Sequence, residues 1–360
     1  MRKSGQADLP LHGGKAPRWL FSRMVRLSRV FIELVLIEFG PDKFIDMLSD
    51  PYWFQAFGSF LGFDWHSSGL TTTTLGAIKM ALSELPPNIG IFIAGGKGKT
   101  MRKTPVEIEY TAKYLKISPE KLKSISKIAA KVDSAWIQDG YNIYHHNIIY
   151  TSDGKWTVIQ QGMNPQNKYA RRYHWHYKHI NDTLTTPHSG IDTKELEKKV
   201  FNLTTKKSEP TKQSILQLFH EIKPSEIESI FKSLSEKQNS LFMPAHHDVR
   251  LKFSGNLKKV ILSTYENPPK NIHELALSKL GPASTRALAM AASLLYGSDI
   301  DFTDPAVYSY AHGGKDGHPY PVNIKIYENT IAILEKIARS PGEESKRARK
   351  ILQQLANLLK

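Results

Sequence analysis

Residues 141–161 read YNIYHHNIIYTSDGKWTVIQQ, and this stretch decides the fold. Two runs of β-formers, Tyr141 to Tyr150 and Lys155 to Gln161, flank Asp153-Gly154, a dipeptide that suits a tight turn because glycine takes positive φ without strain. A turn with two central residues pairs Ser152 with Lys155, which puts Asn147 opposite Gln160 and His146 opposite Gln161. The open end of the hairpin then carries a polar cluster. The segment is the least helical part of the chain, and the expected fold class is α+β: mainly helical, with a small central antiparallel sheet built around the hairpin at about 141–161.

Working outward, a helix is expected from Pro17 to about Phe39, where Gly40-Pro41 stops it. Leu20, Met24, Leu27, Phe31 and Leu34 recur at helical spacing, while Arg23, Arg26 and Arg29 gather largely on another side. Aromatic residues crowd between Tyr52 and Trp65, as core or as a base-stacking platform, and the polar loop from Asp64 to Gly69 follows. Ile89 to Ala94 reads as a buried strand entering a Gly-rich loop. Helices are expected over roughly 105–116 and 118–136, the second opened by Ser118-Pro119-Glu120. The Lys-rich stretch around 194–212 reads as a flexible junction, and helical patterning resumes from Asn271. The expected division is an N-terminal helical domain (1–136), a central β-hairpin and Arg/His-rich segment (137–191), a helical linker region (192–265) and a C-terminal helical domain (266–360).

Bulk properties bound the function. The 360 residues are 40% apolar, enough for a substantial core. Lys and Arg outnumber Asp and Glu by 49 to 34, a net charge of +15, and the surplus is spread along the chain. A basic folded body favours polyanions, so DNA or RNA is the expected partner. The absence of cysteine excludes disulfides, thiol nucleophiles and Cys-containing zinc sites. The longest apolar stretch, around Val30 to Ile37, is too short to span a bilayer, and no cleavable signal pattern precedes it. The expectation is a cytoplasmic protein without a membrane partner; protein partners are unreadable.

Three Gly-Gly-Lys segments recur: His12-Gly13-Gly14-Lys15, Gly95-Gly96-Lys97-Gly98-Lys99 and His312-Gly313-Gly314-Lys315. Paired glycines let backbone N–H groups approach an anion and the lysine adds charge, so these residues, with Arg102 and Arg171, are the candidate phosphate contacts. Neither the P-loop spacing nor the dinucleotide fingerprint is present, and no nucleotide cofactor is expected. Leu277 to Leu288 is similar to the turn of helix-hairpin-helix DNA-binding modules and adds Gly281 to the phosphate candidates, although Lys279 stands where the first glycine is expected.

The richest constellation runs from Asp139 to His176. Phosphodiester hydrolysis needs an activated water and cations that stabilise charge developing on phosphate. Asp139, His146, Gln161, Arg172, His174 and His176 form the candidate catalytic set. Asp139, His146 and His174 are the candidate ligands for Mg²⁺ or Mn²⁺. Asp64, His66, Ser67 and Gln160 are expected to join the pocket. An acid ahead of a hairpin is similar in topology to restriction-endonuclease-like nucleases, but Gln160 or Gln161 stands where the second acid belongs and the following lysine is missing. The competing reading is a polar network that fastens the hairpin while Arg171, Arg172 and nearby aromatics grip nucleic acid.

Five stretches together carry a family resemblance: Leu9 to Pro17, Gly62 to Gly69, Ala94 to Lys99, Gln160 to Asn164 and Ala170 to Trp175. They resemble an archaeal and bacterial family catalogued as the domain of unknown function numbered 763, over nearly the whole chain. The resemblance implies no substrate and assigns no catalytic residue. The functional expectation therefore rests on residue chemistry: a nucleic-acid-binding protein with a metal-dependent nuclease centre in DNA processing or repair, against a noncatalytic nucleic-acid-binding or scaffold protein, or an enzyme acting on a small phosphorylated substrate.

Overall fold

The structure, a computed structural model, describes residues 16, 18–63, 68–193, 196–227, 229–230 and 255–306. It is α+β and mainly helical, with a five-stranded antiparallel sheet at its centre. The strands are β1 (Ile91–Lys97), β3 (Asn142–Thr151), β4 (Trp156–Met163), β5 (Ala170–His176) and β6 (His188–Asp192), side by side in that order. A second, two-stranded sheet pairs β2 (Ile137–Gln138) with β7 (Phe201–Asn202).

Both faces of the large sheet are covered. On one face lie α1 (Arg18–Ser49), α2 (Pro51–Phe60) and α3 (Ser68–Ser83), which bury Met24, Ile32, Phe44, Phe54 and Ile78 against Ile91, Ile149 and Ile159. On the other face α4 (Thr104–Tyr110), α5 (Pro119–Lys131), α6 (Glu209–Glu221) and the helix Pro282–Tyr296 pack Ile108, Leu122, Ile215 and Leu288 around Phe92, Ile148, Val158 and Trp175. Alternate strand residues point to opposite faces, so the apolar runs of β1, β3 and β4 feed two cores at once. The expected segment boundaries cut across this arrangement, because β1 comes from the first segment and forms an edge of the sheet built by the second.

Local signals explain the helix ends. Asp50 caps α2 by accepting from Tyr52 N (2.8 Å) and Trp53 N (3.3 Å), with Pro51 at the first position. Ser118 caps α5 in the same way, and Pro119 starts it. Gly40 (φ 76°, ψ 170°) breaks α1 where the sequence predicts a stop, but a helix resumes at Pro41 and runs to Ser49. The described part of the Lys-rich stretch, residues 196–212, is not a flexible junction: Phe201, Asn202 and Lys212 are fully buried, and Lys212 Nζ donates to Thr183 O at 2.5 Å.

The hairpin register differs from the expected one by one residue. His146 faces Gln160 and His145 faces Gln161, because Ser152, Asp153 and Gly154 form a three-residue loop closed by Thr151 N donating to Lys155 O at 2.8 Å. Gly154 sits at φ 87°, the left-handed position that such loops reserve for glycine.

Candidate functional site

The register sorts the polar residues of the sheet into two sets that cannot meet. His145, Gln161, Arg172 and Asp192 lie in one row across β3 to β6, with His174 and His176 further along β5 on that face. His146, Gln160 and Arg171 occupy alternate positions and face the opposite side. The candidate catalytic set Asp139, His146, Gln161, Arg172, His174 and His176 is therefore divided by the sheet itself. The metal set fails for the same reason: His146 and His174 lie on opposite faces. Among the described residues, no three His, Asp or Glu side chains are placed to share a metal ion.

The row facing α1 to α3 anchors those helices. Arg172, fully buried, pairs with Asp192 and donates to Gln55 Oε1 (3.1 Å), Thr71 Oγ1 (3.3 Å) and His174 Nε2 (2.9 Å). Its guanidinium stacks 4.8 Å above the Phe54 ring. Accepting at Nε2 leaves His174 a proton at Nδ1, which it donates to Leu48 O at 3.1 Å. Burial and the adjacent Arg172 charge hold the His174 ring well below its ordinary pKa. His176 bonds Asp46 of α1 at 2.9 Å, and Gln161 donates to Ser68 O at 2.8 Å and bonds the Tyr144 hydroxyl. His145 Nδ1 and Nε2, Asn147 Oδ1, Gln161 Oε1 and Asp192 Oδ1 are buried with no hydrogen-bond partner among the described residues. Of the residues expected beside this row, Asp64, His66 and Ser67 lie outside the described residues.

Behind the sheet, Arg171 is equally buried and grips carboxylates instead of phosphate. It donates to Asp139 Oδ2 (2.9 Å), Asp304 Oδ1 (3.0 Å) and Asp304 Oδ2 (2.7 Å), and stacks 4.5 Å from the Tyr141 ring. Tyr173 adds a 2.6 Å bond to Asp139, and Tyr141 N donates to the same carboxylate at 3.0 Å. Burial raises the Asp139 pKa, and Arg171 opposes that shift. Asp139 is thus a tether for Arg171, Tyr173 and the Tyr141 backbone, with its oxygens committed.

The second set contains a constellation that the sequence did not single out. His146, which lines an open cavity of about 620 Å³, bonds Ser126 Oγ through Nε2 (2.7 Å) and Gln160 Oε1 through Nδ1 (2.8 Å). Gln160 Nε2 donates to Asp133 Oδ2 at 2.5 Å, and Asp133 also accepts from Trp175 Nε1 (2.8 Å) and bonds His188 Nε2 (2.6 Å). Donation by the Gln160 amide nitrogen to Asp133 turns its oxygen towards His146. That fixes the proton on Nδ1 and leaves Nε2 to accept from the Ser126 hydroxyl. Burial lowers the His146 pKa, which favours the neutral ring.

The cavity mouth is basic. Arg102, Lys123 and Lys127 line it together with Thr104 and Glu120; Arg102 and Lys127 are exposed, and Lys123 is held by Glu109 (2.5 Å) and Glu120 (2.7 Å). Lys97, Lys99 and Lys103 are exposed on the chain that leads to Arg102. The Gly-Gly-Lys segment here is not a loop: Gly95, Gly96 and Lys97 belong to β1, and a short 3₁₀ turn, Gly98–Lys103, follows. Gly95 N donates to Glu107 Oε2 (2.7 Å), and a Cβ at that position would lie 2.1 Å from His146 O. Gly95 thus serves close strand packing, while Lys97, Lys99 and Arg102 keep their charges in solvent. Gly281 caps the helix Pro282–Tyr296 at the surface, after a six-residue helix Ile272–Leu277 whose Leu277 lines the same cavity. His12, Gly13, Gly14, Lys15, Gly313, Gly314 and Lys315 lie outside the described residues.

Sequence reasoning missed Ser126, Asp133, His188, Asp192 and Asp304. Asp133 carried a readable signal, an acid embedded among Val132, Ala135 and Trp136 on the apolar side of its turn; the others are isolated polar residues in ordinary contexts. None of the described helices is long and apolar enough to cross a membrane. No curated protein and no solved structure matches the chain. One family model does, over residues 5–322, and the chain accordingly belongs to the family described as Protein of unknown function (DUF763).

Proposed function

We propose that the chain is a nucleic-acid-binding protein whose phosphate contacts gather at the mouth of the cavity between the Gly98–Lys103 turn and α5. The observation that carries this reading is the set of exposed cations there: Arg102 and Lys127 line the cavity, with Lys97, Lys99 and Lys103 on the stretch of chain around Arg102, and the cavity wall combines apolar side chains with the hydroxyl groups of Thr104, Ser124, Ser126 and Ser134 and with His146. A body of net charge +15 adds a long-range field that concentrates polyanions at such a patch. The adjoining turn at Gly281 extends the surface with the start of a fifteen-residue helix. An open cavity fits a polymer passing its mouth better than a small phosphorylated substrate, which needs enclosure.

The test is a gel-shift titration with end-labelled single- and double-stranded DNA and RNA, with and without Mg²⁺ or Mn²⁺, at several salt concentrations. The expected result is a shift with at least one polymer that weakens steeply with salt. No shift with any of the four in dilute buffer overturns the reading and redirects attention to small phosphorylated ligands.

A further inference from the structure

Helical serines usually return their hydroxyl to a carbonyl one turn back, and others in this protein do so: Ser134 donates to Ala130 O at 2.7 Å, Ser83 to Met80 O at 2.7 Å and Ser263 to Val260 O at 2.9 Å. Ser126 of α5 instead directs its hydroxyl across to the sheet and onto His146 Nε2. The partner beyond, Gln160, holds the histidine in the tautomer that accepts that proton, and Asp133 holds Gln160. This is the geometry of an activated nucleophile: hydroxyl, base within hydrogen-bond reach, and a group that orients the base. Ser126 is largely buried, at 5% exposure, yet it lines the cavity, and Arg102, Lys123 and Lys127 line it too.

From this juxtaposition we propose that Ser126 is a nucleophile towards phosphorus, with His146 as its general base and Gln160 and Asp133 as positioning residues. The inference rests on the nucleic-acid reading for its substrate class, a phosphodiester. Ser126 Oγ forms a bond to phosphorus as its proton passes to His146 Nε2. The bond from phosphorus to the leaving alcohol oxygen breaks, and the His146 proton goes to that oxygen. Water then attacks the phosphoserine diester, gives a proton to His146, and Ser126 recovers its hydroxyl as the phosphate monoester leaves. The cations at the mouth stabilise the charge that builds on the non-bridging oxygens, a role that needs no metal ion.

The experiment uses the full chain and an alkyl fluorophosphonate, a phosphorus electrophile that loses fluoride to a reactive serine. Intact-mass and peptide mass spectrometry should find one adduct, on Ser126. Ser126→Ala should abolish it, and His146→Gln should slow it by about 10²-fold or more, the usual worth of a general base. Gln160→Leu should slow labelling and change its pH profile, which a role confined to packing would leave unmoved; thermal melting verifies that each variant is folded. An unlabelled wild-type protein at saturating probe, or an adduct that persists in the Ser126→Ala variant, overturns the proposal. Labelling needs no nucleic acid, so its failure is separable from failure of the gel shift.

Discussion

Arg171 and Arg172, consecutive in β5, end in carboxylates on opposite sides of the sheet, Arg171 on Asp139 and Asp304 and Arg172 on Asp192. Each is a fully buried charge whose cost of desolvation is met only while its partner stays in place. Asp192→Ala should therefore destabilise the protein by about 3–5 kcal/mol, the range found when one member of a buried pair is removed. Arg172→Met combined with Asp192→Asn should be less harmful than Asp192→Ala alone. Urea unfolding midpoints of the two variants, set against the unsubstituted protein, decide it; a double variant as unstable as the single would show that the hydrogen bonds to Gln55 and Thr71 matter more than the charge pair.

Stability should fall in mild acid. Burial pushes the His145 ring down to about 3, whereas in the unfolded chain it titrates near 6.5. Between those values the unfolded state binds a proton that the folded state refuses, so stability rises with pH across the window and is fully present above it. The contribution of this residue amounts to about 1.4 kcal/mol per pH unit within the window. His145→Gln should flatten the pH dependence of the unfolding free energy, read from urea titrations between pH 6 and pH 4, by that amount. An unchanged slope would mean that His145 is protonated in the folded protein.

Gly95 is irreplaceable for a backbone reason. At φ 105°, with the His146 carbonyl 2.1 Å from where a Cβ would sit, any side chain must push β1 away from β3. Gly95→Ala is expected to cost on the order of 2–4 kcal/mol, as substitutions at strained backbone positions and overpacked sites do. Amide exchange along Ile91–Lys97 should accelerate before the rest of the sheet does.

Charge reversal at the cavity mouth should report on binding without harming the fold, because Arg102 and Lys127 are exposed. Arg102→Glu and Lys127→Glu should each weaken nucleic-acid binding and lower the slope of log affinity against log salt by about one. Equal affinity and slope in both variants would place the phosphate contacts elsewhere on the surface.

The hairpin was legible because its composition and turn residues agree, but its register was not. Asp153-Gly154 fits loops of two or three residues, and only the closure from Thr151 to Lys155 distinguishes them. That single residue decides which polar side chains share a face, so a cluster gathered from sequence proximity mixed His146 with Gln161 when the structure joins His146 to Gln160. The common face of Arg172, His174 and His176 was readable from strand alternation alone. Its role was not, since Leu48, Gln55 and Thr71 come from helices more than a hundred positions away. The Ser126 relay was hidden for a similar reason: Ser126, Asp133, His146 and Gln160 look unremarkable singly, and become one chain of hydrogen bonds only when α5 packs on the sheet.

The five-stranded sheet also acts as a partition in the genetic sense. Substitutions at Arg171 and Arg172, neighbours along the chain, touch different networks and should combine additively, whereas Arg172 and Thr71, 101 positions apart, should show strong coupling. Drift in one half of the molecule can thus proceed without a compensating change in the other, even when the altered codons are adjacent.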